Sequence, residues 1–455
     1  MCNFFGKIPP ILENFLAKFQ SLFSKPTFIS FSLYFSGLFL ELKRTSIQSI
    51  ALRNFYARYE NLQYFLSEAK WDEKELNDHR IEILESNHTT KTCSSGVLII
   101  DDSSCKKWGL KTEGAKKQYS STEDRVINCN VGVVSAYADK NKQYPVNLKP
   151  YIPEDDSSLP DSRNPSYSRE GSIIAKEEHR EFKSKIDLAK DLIEDALQKN
   201  LKFSDVLFDS WYFANHFVKF LEEKGLSWIS EAKENRVISF QRKLVYAHEL
   251  VKLIPSAKYR NITVSTTNGK KKKFWIYSFR ARVKGIPHPL LVVVSIGHWS
   301  KEDPKNVHIY VTNHLALNGE EVVQRYAMRW SIECIFRDLK ENVCFDHYQV
   351  RNLKAITRHW YLSFLAYTFL LYCKLNGTFS KIFHQKPETI GEQLELFRII
   401  NSIHQADWIK QNYELYQKFL ENLTHLPHKV VPKNPFPDDN NGFDPHSSSL
   451  QLQAL

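Results

Sequence analysis

Two short apolar runs that each stop at aspartate constrain this chain more than any other feature. Gly96-Val-Leu-Ile-Ile-Asp101-Asp102-Ser-Ser shows no polar alternation, and neither does Asp205-Val-Leu-Phe-Asp209-Ser-Trp-Tyr. Runs of that length without a polar face suit strands covered on both sides, with carboxylates where the strand gives out. Cys105–Gly109 then reads as a turn, Val126–Ala138 and Tyr144–Ile152 as further strands, and Pro153–Gly171 as a loop rich in Pro, Ser and Asp. Lys176–Asn200 places Phe182, Ile186, Ala189, Ile193 and Ala196 at helical steps and leads into the second run. Phe213–Lys224 reads as a helix and Leu226–Ser230 as a strand. Strand and helix in alternation predict an α/β sheet with at least one parallel crossover.

The flanking regions differ in character. From about residue 235 to 313 the signal is β: Ile262–Thr267 and Phe274–Val283 flank Asn268-Gly269, a strong hairpin signal, and Leu290–Ile296 and Val307–Thr312 follow. Lys270, Lys271, Lys272 and Lys273 fall in that turn, as a solvated tip or as a phosphate contact. Residues 1–95 read as helical and irregular, broken by Pro9, Pro10 and Pro26. Within them Ser46–Trp71 carries Arg53, Tyr56, Arg58, Tyr59 and Tyr64, able to form a basic, aromatic face, although aromatics at helical spacing are more often core. The uncharged stretches Thr27–Leu40 and Trp360–Cys373 fall short of the roughly 20 residues that cross a bilayer and read as buried helices. Glu388–Leu423 reads as a more polar helical region and Pro432–Leu455 as a disordered tail.

A third acid stands on a predicted helix. Steps of three, four and seven put Tyr326, Arg329, Glu333, Arg337 and Lys340 on one stripe, beside an apolar stripe of Ile332, Ile335, Phe336 and Leu339. Such a helix can be an ordinary one with i,i+4 ion pairs, or it can hold a metal-binding acid beside a polyanion. The charge of the whole chain suits the second use: 62 Lys+Arg against 52 Asp+Glu give +10 and a pI near 9.0, which favours a polyanionic partner or an acidic membrane surface. The seven cysteines are scattered and suggest neither a disulfide framework nor a zinc site, which fits a reducing cytosol. Acids at two strand ends (Asp101 or Asp102, and Asp209) joined by a helix acid, Glu333, suit phosphodiester chemistry with two divalent ions. There one ion activates the attacking oxygen and the other stabilises the leaving oxygen. Hard oxygen ligands point to Mg²⁺, with Mn²⁺ able to substitute.

The spacing Tyr326-x2-Arg329-x3-Glu333-x6-Lys340 resembles the Tyr-Arg-Glu-Lys signature of bacterial insertion-sequence DDE transposases of the insertion-sequence-four superfamily. Leu98–Ser103, Lys107-x-Gly109, Gln118-Tyr119-Ser, Asn128-Cys-Asn, Phe208–Tyr212 and Phe345–Arg351 resemble blocks of its seven-zero-one branch. The resemblance implies an α/β, ribonuclease-H-like catalytic core in two parts, 96–235 and 314–375. A β-rich insertion at 236–313, a helical N-terminal region at 1–95 with a possible DNA-end-binding role, a helical region at 376–430 and a tail at 431–455 complete the expected organisation. It implies Asp102, Asp209 and Glu333 as catalytic metal ligands, Asp102 being preferred to Asp101 because it stands before Ser103. Tyr326, Arg329 and Lys340 would contact phosphates, with Arg337 and the four lysines as further DNA contacts. The implied reaction is Mg²⁺-dependent cleavage at transposon ends and strand transfer into target DNA, by a cytoplasmic protein that pairs as a homodimer on terminal inverted repeats, without a membrane. A metal-dependent nuclease on the same core, or a catalytically inactive DNA-binding derivative, are the competing readings.

Overall fold

The computed structural model describes residues 4–40, 46–109, 111–120, 124–153, 182–265, 271–298 and 305–424. The chain divides into a large unit, Met1–Ala406, and a small one, Asp407–Leu455. Helices come first: α1 (Pro10–Leu16), α2 (Lys25–Gly37), α3 (Ile47–Leu52), α4 (Tyr59–Ser67) and α5 (Glu73–Ser86). Then follow β1 (Val97–Lys106), β2 (Lys116–Ser120), β3 (Arg125–Ala138), β4 (Gln143–Tyr151), α6 (Lys185–Gln198), β5 (Asp205–Phe208), α7 (Asn215–Glu223) and β6 (Trp228–Glu231). The β-rich segment holds β7 (Val237–Phe240), β8 (Lys243–Tyr246), the short α8 (Leu250–Leu253), β9 (Arg260–Ser265), β10 (Lys271–Arg282), β11 (Pro289–His298) and β12 (Lys305–Thr312). Helices close the chain: α9 (Gly319–Ala327), α10 (Trp330–Val343), α11 (Leu353–Leu375), α12 (Thr378–Phe383), α13 (Ile390–Gln411) and α14 (Tyr413–Thr424). In the small unit the Asn412 amide donates back to the Trp408 carbonyl ahead of α14 (2.9 Å).

The core strands lie in the order β4-β3-β1-β5-β6: β1, β3 and β4 are antiparallel neighbours, and β5 and β6 run parallel to β1. That is a ribonuclease-H-like sheet. Val97–Ile100 and Val206–Phe208 are fully buried, as their unbroken apolar character requires of strands with both faces covered. The β-rich segment does not form a separate layer. Strand β12 pairs antiparallel with β6, and β11, β10 and β9 continue outward, so one sheet runs from the catalytic core through the insertion. The hairpin β7–β8 forms a small sheet of its own.

Local signals explain where the elements start and stop. Helix α6 begins at Lys185 rather than at 176, because Ser184 and Asp187 form a capping box there; 176–181 lie outside the described residues, and Phe182 is exposed ahead of the helix. Strand β1 continues to Lys106, through part of the expected turn, because β3 still offers Cys129 as its partner, so Asp101 and Asp102 stand in the middle of the strand rather than at its end. The stretch expected as one helix from Tyr326 is two helices. Backbone bonds from Met328 to Arg325, Arg329 to Tyr326, Ser331 to Met328 and Ile332 to Arg329 span three residues, a tightened 3₁₀ turn that separates α9 from α10. Lys271, Lys272 and Lys273 stand within β10 rather than in a turn, paired with Ser265, Val264 and Thr263; Lys270 and Asn268-Gly269 lie outside the described residues, as do most of the Pro153–Gly171 loop and the C-terminal tail.

Helix α11 is buried along most of its length. Among the described residues no helix is long and apolar enough to cross a membrane. The buried Arg358 of α11 donates to the carbonyls of Phe65, Leu66, Ala69 and Trp71 and pairs with Glu73 (3.2 Å), tying the N-terminal helices to the core. Arg58, Tyr59 and Tyr64 are exposed at α4, as a surface basic and aromatic segment would be.

Candidate active site

Neighbouring aspartates on a strand point to opposite faces, and the two on β1 meet different partners. In the parallel pairing of β1 with β5, Ile100 lies beside Phe208, so the next residues on each strand, Asp101 and Asp209, stand at one level. Asp209 is held where β5 ends: its Oδ1 accepts from the backbone N–H groups of Trp211 (3.0 Å) and Tyr212 (3.2 Å). Arg329, in the turn before α10, reaches Asp101 Oδ2 through Nη1 (3.0 Å) and Glu333 Oε1 through Nη2 (3.5 Å). Asp102 is engaged elsewhere, by Lys185 Nζ at the start of α6 (2.8 Å) and by the Tyr212 hydroxyl (3.0 Å).

The charges at the Asp101 side are strained. Burial, reinforced by Asp209, Asp102 and Glu333 and opposed by Arg329, pushes the Asp101 carboxyl up to about 8. Burial also raises Asp209, against the backbone N–H of Tyr212, the Arg329 charge and the Trp211 N–H. For Arg329 burial works against the charge, but Tyr326, Asp101, Glu333 and Asp209 together keep its pKa raised. Several carboxylates thus share one guanidinium, an arrangement short of positive charge. Among the described residues no three His, Cys, Asp or Glu side chains are grouped closely enough to hold one ion, and Arg329 bridges two of the acids instead. The donor chemistry suits a hard divalent cation: carboxylate oxygens alone, partly exposed at Glu333, with a raised pKa that added positive charge would relieve.

The other expected contacts separate into two groups. Tyr326 is buried, its hydroxyl donating to the Phe208 carbonyl (3.3 Å) and its ring against Tyr310 (4.7 Å between centroids). Lys340 donates to the Ser104 carbonyl (2.9 Å), so these two hold α9 and α10 against the acid-bearing strands. Arg337 is exposed on α10, and Lys271, Lys272 and Lys273 are exposed on β10. Sequence reasoning missed a buried ionic cluster beneath the site. Asp205, fully buried at the start of β5, pairs with His314 (2.7 Å) and with Arg325 of α9. Its signal was an acid opening an otherwise apolar run.

The family model for DDE superfamily endonucleases matches residues 18–249, just over half of the chain. The chain belongs to the DDE superfamily endonucleases. A second model, for the transposase DDE domain, matches residues 168–369, so the two together run across the DDE core from the N-terminal helices into α11. A probable transposase for insertion sequence element IS701, from Microchaete diplosiphon, is 24% identical over 230 residues, which is 50% of this chain and 55% of that protein. The chain thus spans about half the length of that relative. Among solved structures, the NurA nuclease from Sulfolobus solfataricus aligns at a TM-score of 0.25 and 11% identity over 60% of this chain and 81% of its own.

Proposed function

We propose that this DDE protein is an insertion-sequence transposase that cuts DNA at the ends of its element and joins them to target DNA, working as a homodimer on terminal inverted repeats. One observation carries the reading: Asp101 and Asp209 stand side by side on parallel neighbouring strands, with Glu333 joined to Asp101 through Arg329. Asp101, Asp209 and Glu333 would hold the divalent ions, magnesium by the hardness of the donors, with manganese as a substitute. When bound there, two such ions supply activation of the attacking oxygen and charge stabilisation at the leaving one. This reading favours Asp101 over the Asp102 expected from the sequence, because Asp102 is turned to Lys185 and Tyr212.

The chain's own residues do the rest. Arg329 partly offsets the charge of Asp101 and Glu333 before DNA arrives and can exchange a carboxylate for a backbone phosphate, which its planar fork binds equally well. Arg337, exposed one turn after Glu333, adds a further cation at the same helix surface. Tyr326 and Lys340 act by position, fixing α9 and α10 against Phe208 and Ser104. The test is Glu333→Gln in an assay with a labelled element end and a target plasmid: end binding should persist while cleavage and strand transfer disappear. Retained cleavage in this variant sinks the assignment, and cleavage without strand transfer in the wild type moves the reading to a nuclease.

A further inference from the structure

The β-rich segment carries a second concentration of positive charge, away from the acids. Arg242, Arg280 and Arg282 line an open cleft of about 500 Å³ together with Ser239, Gln241 and Leu315, and among the described residues no carboxylate lines it. All three arginines are exposed. Arg280 donates to the Leu315 carbonyl (3.4 Å). Arg242 comes from the two-residue turn between β7 and β8, where Phe240 pairs with Lys243. Gln241 and Arg242 there have φ of 49° and 65°, a left-handed conformation that normally goes to Asn or Gly. Two side-chain-bearing residues accept that strain, and the result is a third guanidinium at the cleft.

The sheet relates this cleft to the acids. Lateral pairing runs from Ile99 to Leu207, Ile229, Thr312, Leu291 and Arg280, so Arg280 lies on the row of Ile99. Paired residues share a face and so do residues two apart. Arg280 and Arg282 are therefore on the same face as Ile99 and Asp101. Five strand spacings of ~4.8 Å, about 24 Å, separate Arg280 from Ile99 along that row, and α9 packs over the face between them, with Tyr326 against Tyr310 and Gly319 against Ser278.

We propose that this cleft grips the phosphodiester backbone of DNA at a place apart from the acids. The proposal rests on the transposase reading and adds to it a binding site on the insertion. Guanidinium forks fit phosphate oxygens in pairs, and an open, acid-free cleft without an aromatic floor suits a passing backbone better than an enclosed small molecule.

The experiment measures equilibrium binding of the full chain to a labelled duplex across a salt series without divalent metal. It compares the wild type with the triple variants Arg242→Gln/Arg280→Gln/Arg282→Gln and Arg242→Lys/Arg280→Lys/Arg282→Lys. Loss of three phosphate contacts should make the slope of log K against log salt shallower by about 2–3 in the Gln variant, with at least about a tenfold loss of affinity at low salt. The Lys variant should keep most of the slope. An unchanged slope in the Gln variant overturns the cleft alone, as does an equal loss in the Lys variant, since charge would then not be the cause. Absence of any salt-dependent DNA binding by the wild type overturns both the cleft and the transposase reading.

Discussion

Asp101 and Asp102 are chemically identical neighbours, and the fold makes them different groups. One lies against Arg329 with its carboxyl raised to about 8; the other is satisfied by Lys185 and Tyr212. Replacing each by Asn should therefore separate them. Asp101→Asn should weaken Mn²⁺ binding, read by electron paramagnetic resonance, on the order of tenfold or more and abolish cleavage, whereas Asp102→Asn should keep both largely intact. The reverse pattern would return the role to Asp102. His359 offers a second residue-scale test. It is fully buried, its Nε2–H donating to the Cys344 carbonyl (2.8 Å) while Nδ1 accepts from the Tyr34 hydroxyl (2.8 Å), and burial pushes its pKa down to about 3. The unfolded chain takes up a proton here near pH 6.5 and the folded chain does not. Stability from the neutral ring is thus complete above about 6.5 and falls as pH drops toward 3, by up to about 1.4 kcal/mol per pH unit. Urea titrations at pH 7 and pH 5 should show that loss, and His359→Gln should reduce the difference between them.

At the scale of elements, the turn of β7–β8 sets stability against binding. Left-handed backbone costs an ordinary residue roughly 1–2 kcal/mol, so Gln241→Asn with Arg242→Gly should stabilise the hairpin by about 1 kcal/mol and raise Tm while weakening DNA binding. A lower Tm would mean that the two side chains stabilise the turn through contacts that offset its strain. The elements also show what can be read locally. Strands β1 and β5 are legible because burial on both faces leaves no polar position in the run, and the start of α6 is set by the capping box of Ser184 and Asp187. The break between α9 and α10 was not legible, since every residue from Tyr326 to Ile332 can occupy a regular helix. It arises where Tyr326 must bury its ring against Tyr310 while Arg329 must reach Asp101.

At the scale of the molecule, one extended sheet carries Asp101 and two of the three cleft arginines, and the buried Arg358 of α11 fastens the N-terminal helices to the core. Arg358→Met should leave the carbonyls of Phe65, Leu66, Ala69 and Trp71 without their donor and cost about 3–5 kcal/mol. Hydrogen exchange at α4 should accelerate before exchange in β1 does; uniform acceleration would mean that the helices and the sheet unfold as one. From its residues alone the chain determined that it would build an α/β core with acids on two neighbouring buried strands, a β-rich segment and a third acid on a helix. Those features follow from hydrophobic periodicity and turn chemistry, which act within a few residues. Which aspartate faces Asp209, that Tyr326 and Lys340 brace the fold, and that Arg242 meets Arg280 and Arg282 were decided only by tertiary structure. Lateral register and the choice of sheet face depend on partners tens to hundreds of residues away, and no local period records them.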